Sequence, residues 1–193
     1  MVDIDRIIRQ VSPGDPQVCE TLMGVYYDFV YNLAVSFLCD GDDAEDIAQE
    51  TFIRAALHID SYQAGTGIKS WLAKITLNLC RDRYRRRRFR LRLVEVLKGM
   101  TPRTPFAHPT LEDSLILDEG RTRLKQAIDD LDDKHRLPVL LRYYHGLSVL
   151  EIAHALDLSE GTVHSRLHYA HLKLRAGLGS ALEENNRGEE IAG

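Results

Sequence analysis

The chain has 193 residues, of which 44% are hydrophobic, and its formal net charge is −4. This length supports one moderate hydrophobic core or two small ones. No apolar run approaches the length of a membrane span, and the first ten residues lack a signal-peptide pattern, so we expect a cytoplasmic protein with no direct membrane insertion. Three widely spaced cysteines, Cys19, Cys39 and Cys80, lie among apolar residues, which favours core thiols over disulfides or metal ligands.

The first part of the chain reads as a succession of helices. Residues 2–10 form a short amphipathic candidate, which the sequence SPGDP at residues 12–16 interrupts. Over residues 17–38 apolar side chains recur every three or four positions, which predicts a long, heavily buried helix. Its predicted apolar positions are Val18, Leu22, Val25, Tyr26, Phe29, Val30, Leu33 and Phe37.

The polar sequence CDGDD at residues 39–43 ends this helix and precedes the next, which is predicted over residues 44–59. Asp42 or Asp43 is expected to cap the new helix, with Glu45 and Asp46 in its first turn. The predicted buried residues are Ile47, Phe52, Ala55 and Leu57. The predicted exposed residues are Asp46, Gln49, Glu50 and Arg54, which by themselves indicate only a solvated surface.

Residues 61–92 join a glycine-containing loop to an apolar helix that turns basic. Residues 69–92 carry a net charge of +9, so the rest of the chain carries −13. This concentration of positive charge in an acidic protein predicts a surface for a polyanion such as nucleic acid. A solvated arginine run or a targeting signal is the alternative. We favour the nucleic-acid surface because the basic segment continues a helix that carries Trp71, the only tryptophan.

The spacing within this helix separates apolar from polar positions. Trp71, Leu72, Ile75 and Leu79 follow one another at helical spacing, so this stripe is expected to pack against the rest of the domain. The side chains expected to point elsewhere are Lys74, Asn78, Arg81 and Arg85.

The remaining chain reads as a linker and a second helical domain. Residues 98–114 contain three prolines and no sustained periodicity, which predicts a flexible linker. Helices are predicted over residues 115–131 and 133–144, and Pro138 should kink the second or mark its first turns. The fold class is therefore all-α, with two small helical domains. The predicted boundaries are residues 1–92 for the first domain, 93–114 for the linker, 115–180 for the second domain and 181–193 for a disordered tail.

Residues 146–175 carry the most specific local pattern in the chain. Ser148 and Glu151 have the spacing of a capping box, and Ser159 caps a second helix, which predicts a helix, a tight turn and another helix. The inward positions of the second helix are Val163, Leu167, Ala170 and Leu174. Its outer face would read bases in a DNA major groove. This face contains Ser159, Glu160, Thr162, His164, Ser165, Arg166 and His168. A generic helical hairpin is the alternative.

Metal and catalytic signals are weak by comparison. His164 and His168 share a helix face with His171 nearby, but no cysteine or acidic residue is paired with them as a further ligand, so we predict no metal site. The sequence contains no glycine-rich phosphate loop, nucleophile elbow or metalloprotease motif, so we predict no catalytic residues and no cofactor.

The chain resembles the extracytoplasmic-function (ECF) class of bacterial sigma factors, the promoter-recognition subunits of RNA polymerase. The sequence DAEDIAQETF at residues 43–52 is similar to conserved region 2.2 of that family. Residues 71–88 are similar to regions 2.3 and 2.4, and residues 147–175 are similar to region 4.2. The three segments occur in the family's order, with the proline-containing linker between them.

The resemblance implies a non-enzymatic sigma subunit with two protein partners and promoter DNA. Asp46, Gln49, Glu50 and Arg54 would bind the clamp helices of the largest polymerase subunit, and the flap of the second-largest subunit would be a further contact. An anti-sigma factor, often membrane-bound in the family, would hold the protein inactive. The minus-10 element would be bound as a single strand, with a captured base near the loop and Asn78. The residues implied there are Tyr62, Lys69, Trp71, Lys74, Asn78, Arg81, Arg85 and Arg86. The outer face of the helix-turn-helix would read the minus-35 element as duplex.

Two other protein classes compete with this interpretation. A free-standing helix-turn-helix repressor would bind duplex DNA as a dimer, but it would leave residues 46–54 and the arginines at 85–88 unexplained. A helical nucleic-acid hydrolase would need clustered carboxylates as metal ligands. The acidic cluster at residues 42–46 is better explained by the start of a helix.

Overall fold

The computed structural model describes residues 13–38, 40–63, 65–97, 124 and 126–191, and every regular element in these ranges is a helix. The chain divides into two compact units. The predicted helix at residues 2–10, the linker at 98–114 and Cys39 lie outside the described residues. None of the described helices combines the length and apolar character needed to cross a bilayer.

The amino-terminal unit is built from three helices that pack against one another. They are α1 (Pro16–Leu38), α2 (Gly41–Leu57) and α3 (Ile68–Leu97), with a 3₁₀ turn at Ile59–Ser61 after α2. Gly14 has a φ of +83° and Pro16 is the first helical residue, so the predicted break before α1 is confirmed. The core includes Val18, Leu22, Val30, Ala48, Phe52, Ala55, Ile59 and Leu72.

Two predicted core positions and one predicted cap in this unit are wrong. Val25 is 51% exposed because it lies at the edge of the apolar stripe of α1, and Leu57 is 53% exposed because it is the last residue of α2. The neighbours of Leu57 at positions 56 and 59 fill the core instead. The N-cap of α2 is Asp40, whose side chain accepts a hydrogen bond of 3.1 Å from the backbone N–H of Asp43. Since Gly41 is already helical, α2 begins earlier than predicted, and residues 42 and 43 form its acidic first turn.

Two buried hydroxyls between α2 and α3 form hydrogen bonds within the protein. Thr51 donates to the carbonyl of Ile47 at 2.8 Å, Thr76 donates to that of Leu72 at 2.8 Å, and the two hydroxyl oxygens lie 3.4 Å apart. Both threonines are fully buried. Because each hydroxyl bonds within its own helix, these polar groups do not destabilise the apolar interface.

The carboxy-terminal unit contains α4 (Asp133–Val139), a π-helical turn (Leu140–Tyr144), α5 (Val149–Leu156) and α6 (Glu160–Ile191). Pro138 lies inside α4, just before the hydrogen bonding changes to the π type. In this turn the backbone N–H of His145 donates to the carbonyl of Leu140 at 3.0 Å. The core contains Leu131, Val139, Leu141, Leu147, Ile152, Val163, Leu167 and Ala170.

Two predicted domain ends differ from the observed helix ends. α3 continues past the predicted boundary at residue 92 to Leu97. α6 continues to Ile191, where a disordered tail was predicted from residue 181. Residues 181–184 (ALEE) favour helix, whereas Asn185, Asn186 and Gly188 do not, so local propensity does not explain the last part of α6.

Candidate nucleic-acid interface

The basic segment of α3 has several faces, and the arginines of one face form ion pairs with α2. Arg83 forms an ion pair with Asp43 and lies 3.3 Å from a carboxylate oxygen of Asp46. Arg87 lies 3.6 Å from a carboxylate oxygen of Asp40. These carboxylates belong to the cap and first turns of α2, so the two arginines join α2 to α3. The net charge of the segment therefore overstates the positive charge that is accessible to a ligand.

Another side of α3 carries four residues that we call the basic stripe: Lys74, Asn78, Arg81 and Arg85. Their spacing of four, three and four residues places them on one helix face. Arg81 donates a hydrogen bond of 3.1 Å to the side-chain oxygen of Asn78, which fixes the orientation of that amide. Arg85 forms an ion pair with Asp82, and its hydrogen bond holds the pKa of the Asp82 carboxyl below its ordinary value.

The loop that precedes α3 lies beside an aromatic pair. The rings of Tyr62 and Trp71 have centroids 5.5 Å apart and are tilted by 59°. The buried hydroxyl of Ser70 donates to the carbonyl of Thr66 at 2.6 Å, so the loop is tied back to the helix. Gly67 has a φ of +81°, a conformation that favours glycine. Thr66 and Ser70 were not predicted from the sequence, although hydroxyl residues beside a glycine are a turn signal.

The structure does not bring all the predicted minus-10 residues together. It places Tyr62 against Trp71, and it aligns the four residues of the basic stripe on one face. Lys69 lies elsewhere, with its ammonium group 5.6 Å from the centre of the Phe29 ring of α1. Arg86 also lies elsewhere, in a groove between α2 and α3.

This groove, which we call the α2–α3 groove, has a volume of about 410 Å³. The lining residues are Asp46, Ile47, Gln49, Glu50, Ile53 and Arg54 from α2, and Leu79, Asp82, Arg83 and Arg86 from α3. All four predicted polymerase-binding residues therefore line one concave surface. Arg54 donates a hydrogen bond of 2.8 Å to Glu50 within it. Ile53, which the sequence analysis did not select, is 51% exposed there.

The predicted helix-turn-helix is present, and both of its caps are confirmed. The backbone N–H of Ser148 donates to Glu151 at 2.8 Å, and the backbone N–H of Glu151 donates to the Ser148 hydroxyl at 3.2 Å. The Ser159 hydroxyl accepts a hydrogen bond of 3.2 Å from the N–H of Thr162. Between the two helices, Asp157 has a φ of +61°, which gives the turn its sharp reversal.

The second helix of this motif, α6, separates its buried and outer faces as predicted. Val163, Leu167 and Ala170 are buried, whereas Leu174, which was also predicted to face inward, is only partly buried. The predicted base-reading residues that are exposed are Ser159, Glu160, His164, Ser165 and His168, and those that are partly buried are Thr162 and Arg166. The hydroxyls of Ser159 and Thr162 lie 2.8 Å apart, and that of Ser165 donates to the carbonyl of Gly161 at 2.9 Å. The other exposed side chains of this face, Glu160, His164 and His168, take no part in these hydroxyl hydrogen bonds.

Cys80 and His171 have partners within the fold. Burial raises the pKa of the Cys80 thiol to about 12, so this cysteine remains a protonated core residue. Within the part of the chain that the structure describes, no three histidine, cysteine or acidic side chains are grouped so as to hold a metal ion. His171 instead contacts the Tyr143 hydroxyl at 2.8 Å through Nε2.

The two units match two parts of one protein class. Residues 22–90 match the model of sigma-70 region 2, and residues 127–176 match the model of sigma-70 region 4. The first match contains the α2–α3 groove and the basic stripe, and the second contains the helix-turn-helix. The chain is therefore a sigma-70-type protein.

Similar proteins of known class narrow this assignment. The ECF RNA polymerase sigma factor SigW of Bacillus subtilis is 33% identical over 177 residues, which cover 89% of this chain and 95% of SigW. The ECF sigma factor SigL of Mycobacterium tuberculosis is 32% identical over 159 residues, which cover 80% of this chain and 87% of SigL. The chain belongs to the ECF sigma factors, which direct RNA polymerase to promoters and are not enzymes.

Solved structures agree with this family. CnrH, in complex with the cytosolic domain of CnrY, matches with a TM-score of 0.63 and 28% identity, over 92% of this chain and 99% of CnrH. The sigma factor RpoE of Bartonella quintana, in complex with the anti-sigma factor NepR, matches with a TM-score of 0.59 and 27% identity, over 83% of this chain and 96% of RpoE.

Proposed function

We propose that this protein binds core RNA polymerase in the cytoplasm through the α2–α3 groove and contacts promoter DNA through separate surfaces of its two units. The observation that carries the proposal is the division of charge on α3. Arg83 and Arg87 are paired with α2, whereas Lys74, Arg81 and Arg85 share a face with Asn78. A structural helix would need only the first set, so the second set supports a ligand surface.

The basic stripe is proposed to bind the non-template strand of the minus-10 element. Lys74, Arg81 and Arg85 would follow the phosphates, and the Asn78 amide would contact an unstacked base. Because Arg81 occupies the side-chain oxygen of Asn78, the amide N–H groups would face the base. Tyr62 and Trp71 lie at the end of the loop and would bound the site where the strand leaves the duplex.

The helix-turn-helix is proposed to read the minus-35 element as duplex. The start of α6 would enter the major groove, where Glu160 could accept a hydrogen bond from the amino group of cytosine and His164 could contact a base edge or a phosphate. The caps at Ser148 and Ser159 hold the two helices in the geometry that this docking needs.

Regulation by an anti-sigma factor is proposed from the solved relatives. CnrH is bound to the cytosolic domain of CnrY, and RpoE is bound to the anti-sigma factor NepR. By likeness, a partner of this kind would cover the polymerase-binding surface, and membrane attachment of that partner would couple the protein to an external signal. The clamp helices of the largest subunit and the flap of the second-largest subunit are the proposed contacts on polymerase.

Binding of purified protein to bacterial core polymerase tests the function. We expect co-migration in size-exclusion chromatography, and we expect the double variant Gln49→Ala/Glu50→Ala to bind about tenfold more weakly or worse. The matched control is Gln17→Ala/Glu20→Ala, which removes the same two side-chain types from the exposed surface of α1. If the wild type shifts duplex DNA alone and ignores polymerase, the function is instead that of a free-standing repressor.

A further inference from the structure

Arg86 follows Arg85 directly in α3 but belongs to a different surface. Successive residues of a helix point about 100° apart. Arg85 lies on the basic stripe, whereas Arg86 lines the α2–α3 groove beside Asp82 and the predicted polymerase-binding residues. From the sequence, both arginines were predicted to bind minus-10 DNA, because a run of arginines does not indicate which surface of the domain each side chain faces.

The charges in the groove favour a protein partner over a nucleic acid. Asp46, Glu50 and Asp82 line it together with Arg54, Arg83 and Arg86, so the lining charges balance and the groove does not attract a phosphate strand as a cationic surface would. Each carboxylate is already engaged by an arginine of the amino-terminal unit: Arg83, Arg54 and Arg85 respectively. Among the described residues, Arg86 forms no ion pair with a carboxylate. An acidic side chain on a partner would supply one.

The groove also exposes apolar surface, which a DNA backbone would leave exposed to water. Ile53 is 51% exposed at its rim, and the largely buried Ile47 and Leu79 form its base. An aliphatic or aromatic side chain seated on Ile53 would remove this surface from water. Ile53 offers an apolar contact and Arg86 offers a cation. Together they fit a helix of a protein partner that presents one apolar and one acidic side chain.

We propose that Arg86 and Ile53 belong to the polymerase-binding surface and that Arg86 pairs with a carboxylate of the polymerase. The inference rests on the proposed function, since it takes polymerase as the occupant of the groove. It assigns the adjacent arginines of α3 to different partners: Arg85 to the DNA strand and Arg86 to the polymerase.

Single substitutions at the two adjacent arginines separate these roles. The full chain carrying Arg86→Ala is compared with the full chain carrying Arg85→Ala in two equilibrium assays. The first measures affinity for core polymerase, and the second measures binding of the assembled holoenzyme, at saturating polymerase, to a promoter fragment with a pre-opened minus-10 bubble. Ile53→Ala is measured in the same way, because it tests the groove without changing any charge.

We expect Arg86→Ala and Ile53→Ala each to weaken polymerase binding by about five- to tenfold, with bubble binding by the saturated holoenzyme unchanged. We expect Arg85→Ala to show the reverse. Since Arg86 and Ile53 are exposed, both variants should retain the wild-type unfolding midpoint, which circular dichroism checks. Wild-type polymerase affinity in Arg86→Ala would overturn the inference and leave the proposed function intact. A wild-type protein that does not bind polymerase refutes both.

Discussion

Replacing Arg83 with alanine should destabilise the amino-terminal unit. The Arg83 side chain is 30% exposed and that of Asp43 is 23% exposed, so their ion pair is partly shielded from solvent. Exposed ion pairs contribute at most about 1 kcal/mol, whereas hydrogen bonds to charged groups contribute about 1.5–3 kcal/mol. The pair with Asp46 adds little because that side chain is 64% exposed. We therefore expect the free energy of unfolding to fall by about 1–2 kcal/mol.

Trp71 gives a specific assay for this loss. It is the only tryptophan and lies in α3, so its fluorescence during urea unfolding reports on the amino-terminal unit. A double-mutant cycle with Asp43→Ala should return a coupling energy of about 1 kcal/mol, since each single change removes the same pair. Arg85→Ala is the matched control, because this side chain is 78% exposed, and its stability should change by no more than about 0.5 kcal/mol.

Unchanged stability together with weaker DNA binding would contradict the structural role that we predict for Arg83. If Arg83→Ala unfolds at the wild-type urea concentration but binds single-stranded minus-10 DNA more weakly, then Arg83 belongs to the DNA surface. A coupling energy near zero in the cycle would likewise mean that the ion pair with Asp43 does not stabilise the unit.

Two further predictions concern the carboxy-terminal unit. Ser148→Ala removes the cap of α5 and should cost about 1 kcal/mol. Thermal unfolding followed by circular dichroism should show the loss without a change in the Trp71 transition, and Ser148→Thr, which keeps the hydroxyl that donates to Glu151, should restore it. Burial lowers the pKa of His145 from 6.5 to about 4, so the unfolded chain binds a proton first as the pH falls. Stability should be complete above about pH 6.5 and should fall by about 1 kcal/mol by pH 5.5, and His145→Gln should flatten this dependence; a wild-type pH profile in that variant would contradict the assignment.

The helices that carry strong periodicity and strong end signals could be predicted from sequence. α1 was placed within one residue of its observed start because the break at Gly14 and the proline at its first position are local signals. The caps at Ser148 and Ser159 were predicted for the same reason, since the capping residue and its partner are three positions apart. Local hydrogen bonds of this kind depend on nearby residues alone.

Contacts between helices could not be predicted in the same way. Arg83 and Asp43 are 40 positions apart, and nothing in the arginine run distinguishes the residue that pairs from the residues that remain accessible. The exposure of Val25 and Leu57 has the same origin, because packing partners decide which edge of an apolar stripe is covered. The sequence thus located the basic helix and its neighbours, while the division of that helix into paired and accessible sides required the packed structure.

This division would allow a few closely spaced arginines to serve different purposes. Arg83, Arg85 and Arg86 leave α3 toward the first turns of α2, the basic stripe and the α2–α3 groove respectively. Because each helical step turns the side chain by about 100°, the angular order of these surfaces is fixed by the register of α3 against α2. The buried core between the two helices sets that register, and the Arg83 ion pair adds one contact to it. Changes at Arg85 and Arg86, which lie outside this core, would therefore separate DNA binding from polymerase binding.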